Sequence, residues 1–539
     1  MRRITVKIIS LLLVLCMMTG CGSSGSGQGG NSTSIQVDDK TLSVGLENDI
    51  TSLDYAYNYA IANFCVVDNI NDFLLRFDEN GEMQSSLCTS WEAVDELTYV
   101  YQIRDDARFS DGSQMTVEDV IFSMERIRDP ETAGNMNFAY ANVASIEATG
   151  DWEITVKLSE PDALWQYIPA TPACQVTSKA YYESHKDNFG NADGLTMGTG
   201  AYKVESWKTG SEIVLTKNEY YWGEEPQFEK VIYTVIGDAS SMQMAMESGQ
   251  IDFTILSSTD LSSEYEKSEN CTITGIDSIG NTLLSFNCQA GQCSDVNLRR
   301  AIASCVDVVM INESLNGKYA AAGTALPFGE GLYVLDPEEW KAREAKMTHY
   351  DYDLEKAAQY LDESDYDGSE LSFVIIDNNT AYANIAQVIQ ATCASIGINI
   401  SIEKVTSSEY YAHAYGNDLD ENGNRKYDMM INRWTPDYVD PAGDLAIFFE
   451  SCNSGAGGAN YAAYSNAEVD RLMAAQRVSI DNKERSELML QACEIAAEEI
   501  PYKALYYPQA VYVTSNRISY ELPMFWLYSI RMADFELVE

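Results

Sequence analysis

Signatures of catalysis and of metal binding are scarce in this sequence. It has only three histidines, His185, His349 and His413, and no two of them stand close together. No Walker loop, nucleophile elbow or HExxH helix is present, and no two cysteines form a CxxC pair. The sequence therefore gives no support for metal catalysis or acyl transfer, and we expect a protein without a cofactor and without enzymatic activity.

Basic residues are also few. The chain has 35 Lys and Arg against 82 Asp and Glu, which gives a formal net charge of −47. Such an acidic surface repels phosphate backbones, so we exclude nucleic acid as a partner. Hydrophobic residues make up 45% of the chain, which is typical of a globular protein. Because 539 residues exceed what one core usually holds, we expect two or three lobes.

Long apolar runs are confined to the N-terminus. After three basic residues, the run from Ile8 to Met18 is about half the ~20 residues that a membrane span needs, and it is typical of a secretory signal. It leads into Met18-Thr19-Gly20-Cys21, which resembles the bacterial lipobox. This resemblance implies cleavage before Cys21, a diacylglyceryl group on its thiol and a lipid anchor on the extracytoplasmic face of the cell membrane. A plain signal peptide with a chance cysteine is the alternative.

The twelve cysteines show no zinc-binding spacing. Outside the cell thiols can pair, and Cys288 and Cys293 are near enough in sequence to close a small loop. Buried free thiols are an equally good interpretation, since cysteine is among the most buried residue types. The sequence leaves both alternatives open.

Element types alternate in the later half of the chain. The hydrophobic pattern predicts a strand over Leu371–Ile376, a helix over Ala381–Ile396 and strands over Ile398–Ile402 and Tyr427–Trp434. This order implies a mainly parallel α/β sheet. In the first half short strands dominate, and Thr116 is predicted to cap the start of a helix.

Six blocks in the sequence carry a resemblance to a known family. They are Trp91, Tyr99, Arg104, Phe109–Gly112, Thr116 and Glu118–Val120; Gly198–Tyr202 with Asn218–Trp222; Ser248–Asp252; Phe286–Asn287, Ser294–Val296, Arg299 and Asp307; Tyr352–Ala357; and Trp434–Pro441. In this order they resemble the extracytoplasmic solute-binding proteins of ABC importers, family 5, which is the oligopeptide-, dipeptide- and nickel-binding class. Departures are Tyr55 after Leu53-Asp54, Ala201 after Gly-Thr-Gly, and Thr435 where some oligopeptide binders carry cysteine.

The resemblance implies an α/β, two-lobe periplasmic-binding-protein-like (class II) fold with an extra N-terminal inserted lobe. The expected segments are a signal peptide (1–20), a lipidated flexible tether rich in Gly and Ser (21–40), lobe I (41–73, 197–299 and 504–539), the inserted lobe II (74–196) and lobe III (300–503). The ligand would lie between two closing lobes.

Asp437 is the leading candidate for ligand binding. Its block resembles the one in which oligopeptide binders carry the aspartate that holds the ligand ammonium group, and it follows a strand end, where α/β folds place ligands. Trp434 is expected to line the cleft, and Asp440 before Pro441 to be structural. The alternatives are an acidic turn residue for Asp437 and a core aromatic residue for Trp434.

Further ligand contacts are expected on both sides of the cleft. On the Asp437 side, Thr435 could offer its backbone to an extended ligand, Tyr438 adjoins the aspartate, and Arg433 could meet the ligand carboxylate. On the other side we expect contacts from Tyr59, Ala60 and Ile61.

An acidic stretch looks like the start of a calcium loop, with Asp418, Asp420, Asn422 and Asn424 as the ligands. Met429 stands where a bidentate Glu would be needed. The alternative is a solvated acidic turn.

The sequence thus predicts a monomeric receptor that binds a peptide and delivers it to an ABC permease and its ATPase subunits. Alternatives are the same fold binding an oligosaccharide or a nickel chelate, or a peptide-signal sensor. A secreted hydrolase has only the weak support of paired carboxylates.

Overall fold

The structure is a computed structural model, and it describes residues 39–57, 61–78, 81–132, 136–277, 279–315, 318–520 and 530–538. The predicted signal peptide, Cys21, most of the tether, Tyr59 and Ala60 lie outside the described residues, as does the side chain of Ile61.

In the described part of the chain the strands are β1 (Thr41–Leu46), β2 (Leu75–Phe77), β3 (Met83–Ser85), β4 (Cys88–Asp95), β5 (Thr98–Ile103), β6 (Val143–Gly150), β7 (Glu153–Leu158), β8 (Tyr202–Lys208), β9 (Glu212–Lys217), β10 (Lys230–Val235), β11 (Phe253–Ile255), β12 (Cys271–Ile276), β13 (Asn281–Phe286), β14 (Ala320–Ala322), β15 (Leu371–Ile376), β16 (Ile400–Val405), β17 (Met429–Trp434), β18 (Tyr502–Pro508), β19 (Ala510–Ser515), β20 (Ile518–Ser519) and β21 (Glu536–Leu537).

The α-helices of the same ranges are α1 (Ile61–Val67), α2 (Val117–Arg128), α3 (Lys179–Ser184), α4 (Ala239–Glu247), α5 (Ser262–Tyr265), α6 (Val296–Ser304), α7 (Val308–Leu315), α8 (Pro337–Glu344), α9 (Leu354–Asp362), α10 (Thr380–Ser395), α11 (Ser407–Ala414), α12 (Pro441–Phe449), α13 (Ala467–Val478) and α14 (Asn482–Glu499). None of these helices is both long enough and apolar enough to cross a bilayer.

The larger of the two main sheets has seven strands in the order β12-β19-β11-β1-β10-β9-β8. Its centre is parallel, since β1 pairs in parallel with both β10 and β11, and the outer pairings are antiparallel. The strands come from three separated stretches of the chain, with β1 near the N-terminus and β19 near the C-terminus.

The second main sheet has six strands in the order β14-β18-β13-β17-β15-β16. The prediction of a mainly parallel sheet is wrong here. Strand β15 pairs in parallel with β16 and β17, but β13 lies next to β17 and β18 lies next to β13, and the remaining described pairings are antiparallel. The sheet also extends beyond the predicted 300–503 segment on both sides, because it includes β13 and the end of β18.

Helix α10 confirms the sequence pattern of the later half. Its buried face carries Ile385, Ala386, Ile389 and Cys393, at the spacing of a helix that packs one side on a sheet. The helix ends before Gly397, which has φ +96°, a left-handed conformation that suits glycine. The adjoining parallel strands β15 and β16 fall close to their predicted positions.

A separate antiparallel sheet, β4-β5-β7-β6, lies within residues 74–196. Helix α2 contacts β6 and begins as predicted at Thr116. The Thr116 side chain accepts from the Asp119 backbone N–H and the Asp119 carboxylate accepts from the Thr116 backbone N–H at 2.9 Å, which completes a capping box. This segment also carries Arg126, whose guanidinium binds the buried carboxylate of Asp54 at 2.5 and 2.9 Å.

Candidate ligand cleft

A cleft of about 680 Å³ lies between the two main sheets. One wall is formed by the residues that follow β1, including Glu47 and Asp49, and by those that follow β11, including Ser257. The other wall is formed by Thr282 of β13, Arg433 of β17 and Tyr506 of β18, with aromatic residues of α10 and α11. The parallel strands β1 and β11 both point their carboxyl ends at the cleft, which is where α/β folds bind ligands.

Arg433 is the one cation among the described residues that line this cleft. It is held near the end of β17, opposite Thr282 in the antiparallel register. Its Nη1 donates to the backbone carbonyl of Ser257 on the opposite wall at 3.3 Å. Burial raises the pKa of both Tyr382 and Tyr506, and Arg433 opposes that rise at each. The guanidinium therefore lies amid phenol groups and bridges the two sides of the cleft.

The residues after Arg433 leave the cleft and turn toward α12. Trp434 is half-buried and meets Phe448 of α12 edge-on, with the ring centroids 6.5 Å apart. Tyr438 is buried and stacks on Tyr167, with centroids 5.7 Å apart and planes within 8°. Asp437 is half-buried and lies near enough to contribute to the raised pKa of Tyr438, which burial dominates. Of the predicted residues in this block, only Arg433 is among the described residues that line the cleft, and Trp434, which was expected to line it, packs on α12 instead.

On the opposite side, the prediction for residues 59–61 remains a prediction. Ala62, the next residue in α1, lines the cleft. The N-terminal end of α1 therefore adjoins the cleft.

Asp440 has the structural role that the sequence suggests. It caps α12, where Oδ1 accepts from the backbone N–H of Ala442 at 2.9 Å and Pro441 occupies the first turn. Arg485 of α14 binds the same carboxylate with both terminal nitrogens, at 2.8 and 3.0 Å, and both side chains are fully buried. This pair fixes the end of the 434–440 turn, which carries Asp437.

A second buried carboxyl group, that of Asp444, was missed by the sequence reasoning. It lies in α12, is fully buried, and its Oδ2 accepts from Asn281 Nδ2 at 3.1 Å. Burial raises its pKa well above the usual range, the hydrogen bond from Asn281 opposes this, and Asp437 adds to it. The available signal was a lone acidic residue inside an otherwise apolar helix, Pro441–Phe449.

A family model for the bacterial extracellular solute-binding proteins of family 5 (middle region) matches residues 82–456. The chain belongs to this family. The probable D,D-dipeptide-binding periplasmic protein DdpA of Escherichia coli (strain K12) is 26% identical to this solute-binding protein over 474 residues, covering 86% of this chain and 88% of DdpA.

Two solved structures resemble this solute-binding protein along most of its length. The periplasmic binding protein DppA from Helicobacter pylori in complex with the peptide STSA matches with a TM-score of 0.77 and 24% identity over 92% of this chain and 98% of that one. NikZ from Campylobacter jejuni in complex with Ni(L-His) matches with a TM-score of 0.78 and 21% identity over 93% of this chain and 100% of that one. These matches establish the two-lobe periplasmic-binding-protein fold.

The sequence also left open a Cys288–Cys293 disulfide and a calcium loop in this solute-binding protein. Cys288 and Cys293 are free thiols in the structure, Cys293 buried and Cys288 partly buried, which agrees with the alternative of unpaired thiols. Burial raises the pKa of Cys288 to about 11. In the acidic stretch, Asp418 pairs with Lys426, and one oxygen of Asp420 accepts from the backbone N–H groups of Asn422 and Asn424, each at 2.8 Å. No group of three or more His, Cys, Asp or Glu in the described residues could hold a metal ion. The geometry therefore favours the acidic turn.

Proposed function

We propose that this solute-binding protein captures extracellular peptides between its two lobes and delivers them to the permease of an ABC importer. The observation that carries the proposal is the cleft at the carboxyl ends of β1 and β11, closed on the far side by Arg433 as its one described cation. The names of the relatives support the ligand class, since DdpA is described as a dipeptide binder and DppA was solved with a peptide.

The carboxyl end of a peptide needs a positive partner once it leaves water, because an unpaired buried charge is strongly unfavourable. We assign this role to Arg433. Its guanidinium currently donates to a neutral carbonyl at 3.3 Å, which is a long and weak hydrogen bond. A carboxylate forms shorter, charge-assisted and often bidentate bonds with arginine, so it would displace the Ser257 carbonyl.

The amino end of the peptide needs a carboxylate, and we assign this role to Asp437. In this proposal Trp434 and Tyr438 flank the amino end with apolar surface and Thr435 offers backbone groups. The family resemblance assigns Tyr59, Ala60 and Ile61 to contacts from the other lobe. The fixed end of the turn at Asp440 supports this assignment, because the buried bond to Arg485 holds the segment in one conformation.

The cellular setting of the proposal follows from the N-terminus. A diacylglyceryl group on Cys21, with its palmitate-like chains, keeps the receptor at the membrane on the extracytoplasmic face. There the monomer docks on the permease, whose ATPase subunits drive uptake. A sensor of peptide signals would use the same capture step.

Native mass spectrometry of the purified mature protein with a peptide library tests the ligand class. We expect retention of free peptides, whereas an oligosaccharide or Ni(L-His) retained in their place would contradict the proposal. The Ni(L-His) arm is included because NikZ was solved with that ligand.

Two variants then test the site by titration calorimetry. Asp437→Asn and Arg433→Gln should each weaken binding about 10- to 100-fold, since charge-assisted hydrogen bonds contribute about 1.5–3 kcal/mol. Peptides with one blocked terminus should separate the two roles. The affinity for an N-acetylated peptide should not change with Asp437→Asn, and the affinity for a C-amidated peptide should not change with Arg433→Gln. Arg471→Gln is the matched control, because Arg471 is exposed and pairs only locally with Glu468. Equal affinities for all variants would remove the assignment.

A further inference from the structure

The buried carboxyl group of Asp444 has no positively charged partner among the described residues. Its Oδ2 accepts one hydrogen bond from Asn281, and its Oδ1 accepts none. The neighbouring helix α14 does supply a guanidinium, but Arg485 is bound to Asp440. A carboxylate buried with a single neutral donor is strongly disfavoured, so this environment favours the protonated form of the group.

Two more buried polar atoms without partners lie at the same place. Asn281 and Trp434 face each other in the β13–β17 register, and Asn281 Oδ1 and Trp434 Nε1 both lack a hydrogen bond within the described residues. The Trp434 ring meets Phe448, which lies one helical turn after Asp444 and therefore on the same face of α12. Buried polar atoms without a partner are unfavourable, so three of them at one strand end point to a site rather than a packed core.

The titratable groups around Asp444 are acidic. Asp437 on the adjoining turn adds to the raised pKa of Asp444, and Asp444 in turn adds a little to the raised pKa of Tyr507 on β18, which burial dominates. No basic side chain of α13 or α14 contributes to the pKa of Asp444. A positive charge arriving at Asp437 would therefore act on both carboxyl groups, and it would favour the ionised form of each.

We propose that Asp444 is a positioning residue for the cationic end of the ligand, and that it loses its proton to the solvent when that group binds beside Asp437. The ligand class is a peptide with a free amino terminus, so the inference rests on the function proposed above. Asn281 would hold one oxygen of the new carboxylate, whose negative charge would reinforce that of Asp437 without touching the cation. Affinity should then rise with pH over the range in which free Asp444 is protonated and bound Asp444 is ionised.

Titration calorimetry in buffers of different ionisation enthalpy measures the proton release directly. The experiment is set at about pH 6, where a peptide amine with a pKa of about 8 is already charged. We expect the wild-type protein to release protons when it binds the peptide, and Asp444→Asn to abolish most of that release while keeping the shape of the side chain. Asp437→Asn should weaken peptide binding, but Asp437 is not the group that releases the proton.

A second arm keeps the test decisive if Asp444→Asn folds poorly. An N-acetylated peptide brings no positive charge, so its binding to the wild-type protein should release no proton. Equal release by Asp444→Asn and the wild type, or by blocked and free peptides, would overturn the role of Asp444 and leave the proposed function intact. Failure of every peptide to bind would overturn both.

Discussion

The buried pair of Asp440 and Arg485 offers a sharp test of how the 434–440 turn is held. Arg485→Met removes both bonds to the carboxylate and leaves Asp440 as a buried charge without a cationic partner. Breaking a buried pair in this way typically costs about 3–5 kcal/mol. It also removes the two 3.3 Å bonds from Arg485 to Gln476, so we expect the upper half of that range.

The assay is urea unfolding followed by tryptophan fluorescence, with a double-mutant cycle. Asp440→Asn combined with Arg485→Met should recover much of the loss, since no buried charge then remains. The loss of stability in Arg485→Lys should lie between zero and that of Arg485→Met, because lysine keeps the positive charge but cannot make two parallel hydrogen bonds to the carboxylate. Arg471→Met is the control, and as an exposed pair with Glu468 it should cost about 0–1 kcal/mol. If Arg485→Met costs no more than Arg471→Met, the pair does not hold the turn.

Three further predictions concern stability. Burial lowers the pKa of Lys503 from 10.5 to about 8, so the unfolded chain binds more protons between these pH values and the stability of the wild type should rise with pH across that range. Lys503→Met removes the buried charge and loses the bond to the Tyr350 carbonyl, and we expect it to gain about 1–2 kcal/mol of stability near pH 7. Paired urea titrations should show this gain shrinking toward pH 10. Asp54→Ala should cost about 3–5 kcal/mol in the same assay, because it leaves Arg126 buried without its carboxylate, and a loss below about 1 kcal/mol would contradict the geometry. Thr116→Ala should cost about 1 kcal/mol through loss of the cap, while Thr116→Ser should be nearly neutral.

Patterns among neighbouring residues predicted the helices and strands best. The period of α10, the cap at Thr116 and the β-branched run of β15 each involve neighbours in the chain, so they were predicted close to their observed bounds. The mixed character of the six-stranded sheet depends on β18 pairing with β13, which lies more than 200 residues earlier. No periodicity encodes such a pairing.

The candidate site also combines local features that the sequence predicts with long-range contacts that it does not. Asp440 could be assigned from its position before Pro441, since an Asp-Pro start is a local helix signal. The stacking of Tyr438 on Tyr167 and the bond from Asn281 to Asp444 join distant parts of the chain, and sequence spacing says nothing about them. The contact of Arg433 with Ser257 across the cleft was invisible for the same reason.

The place of β19 in the seven-stranded sheet has a consequence for biosynthesis. Although it is the last strand of this sheet along the chain, it lies inside the sheet, between β12 and β11. The ribosome must therefore release nearly the whole chain before this sheet can be completed, and a long-range pairing of that kind is slow to form. A polypeptide exported through a narrow channel has to stay unfolded until it has crossed, and a sheet that stays incomplete until β19 is available is compatible with that requirement.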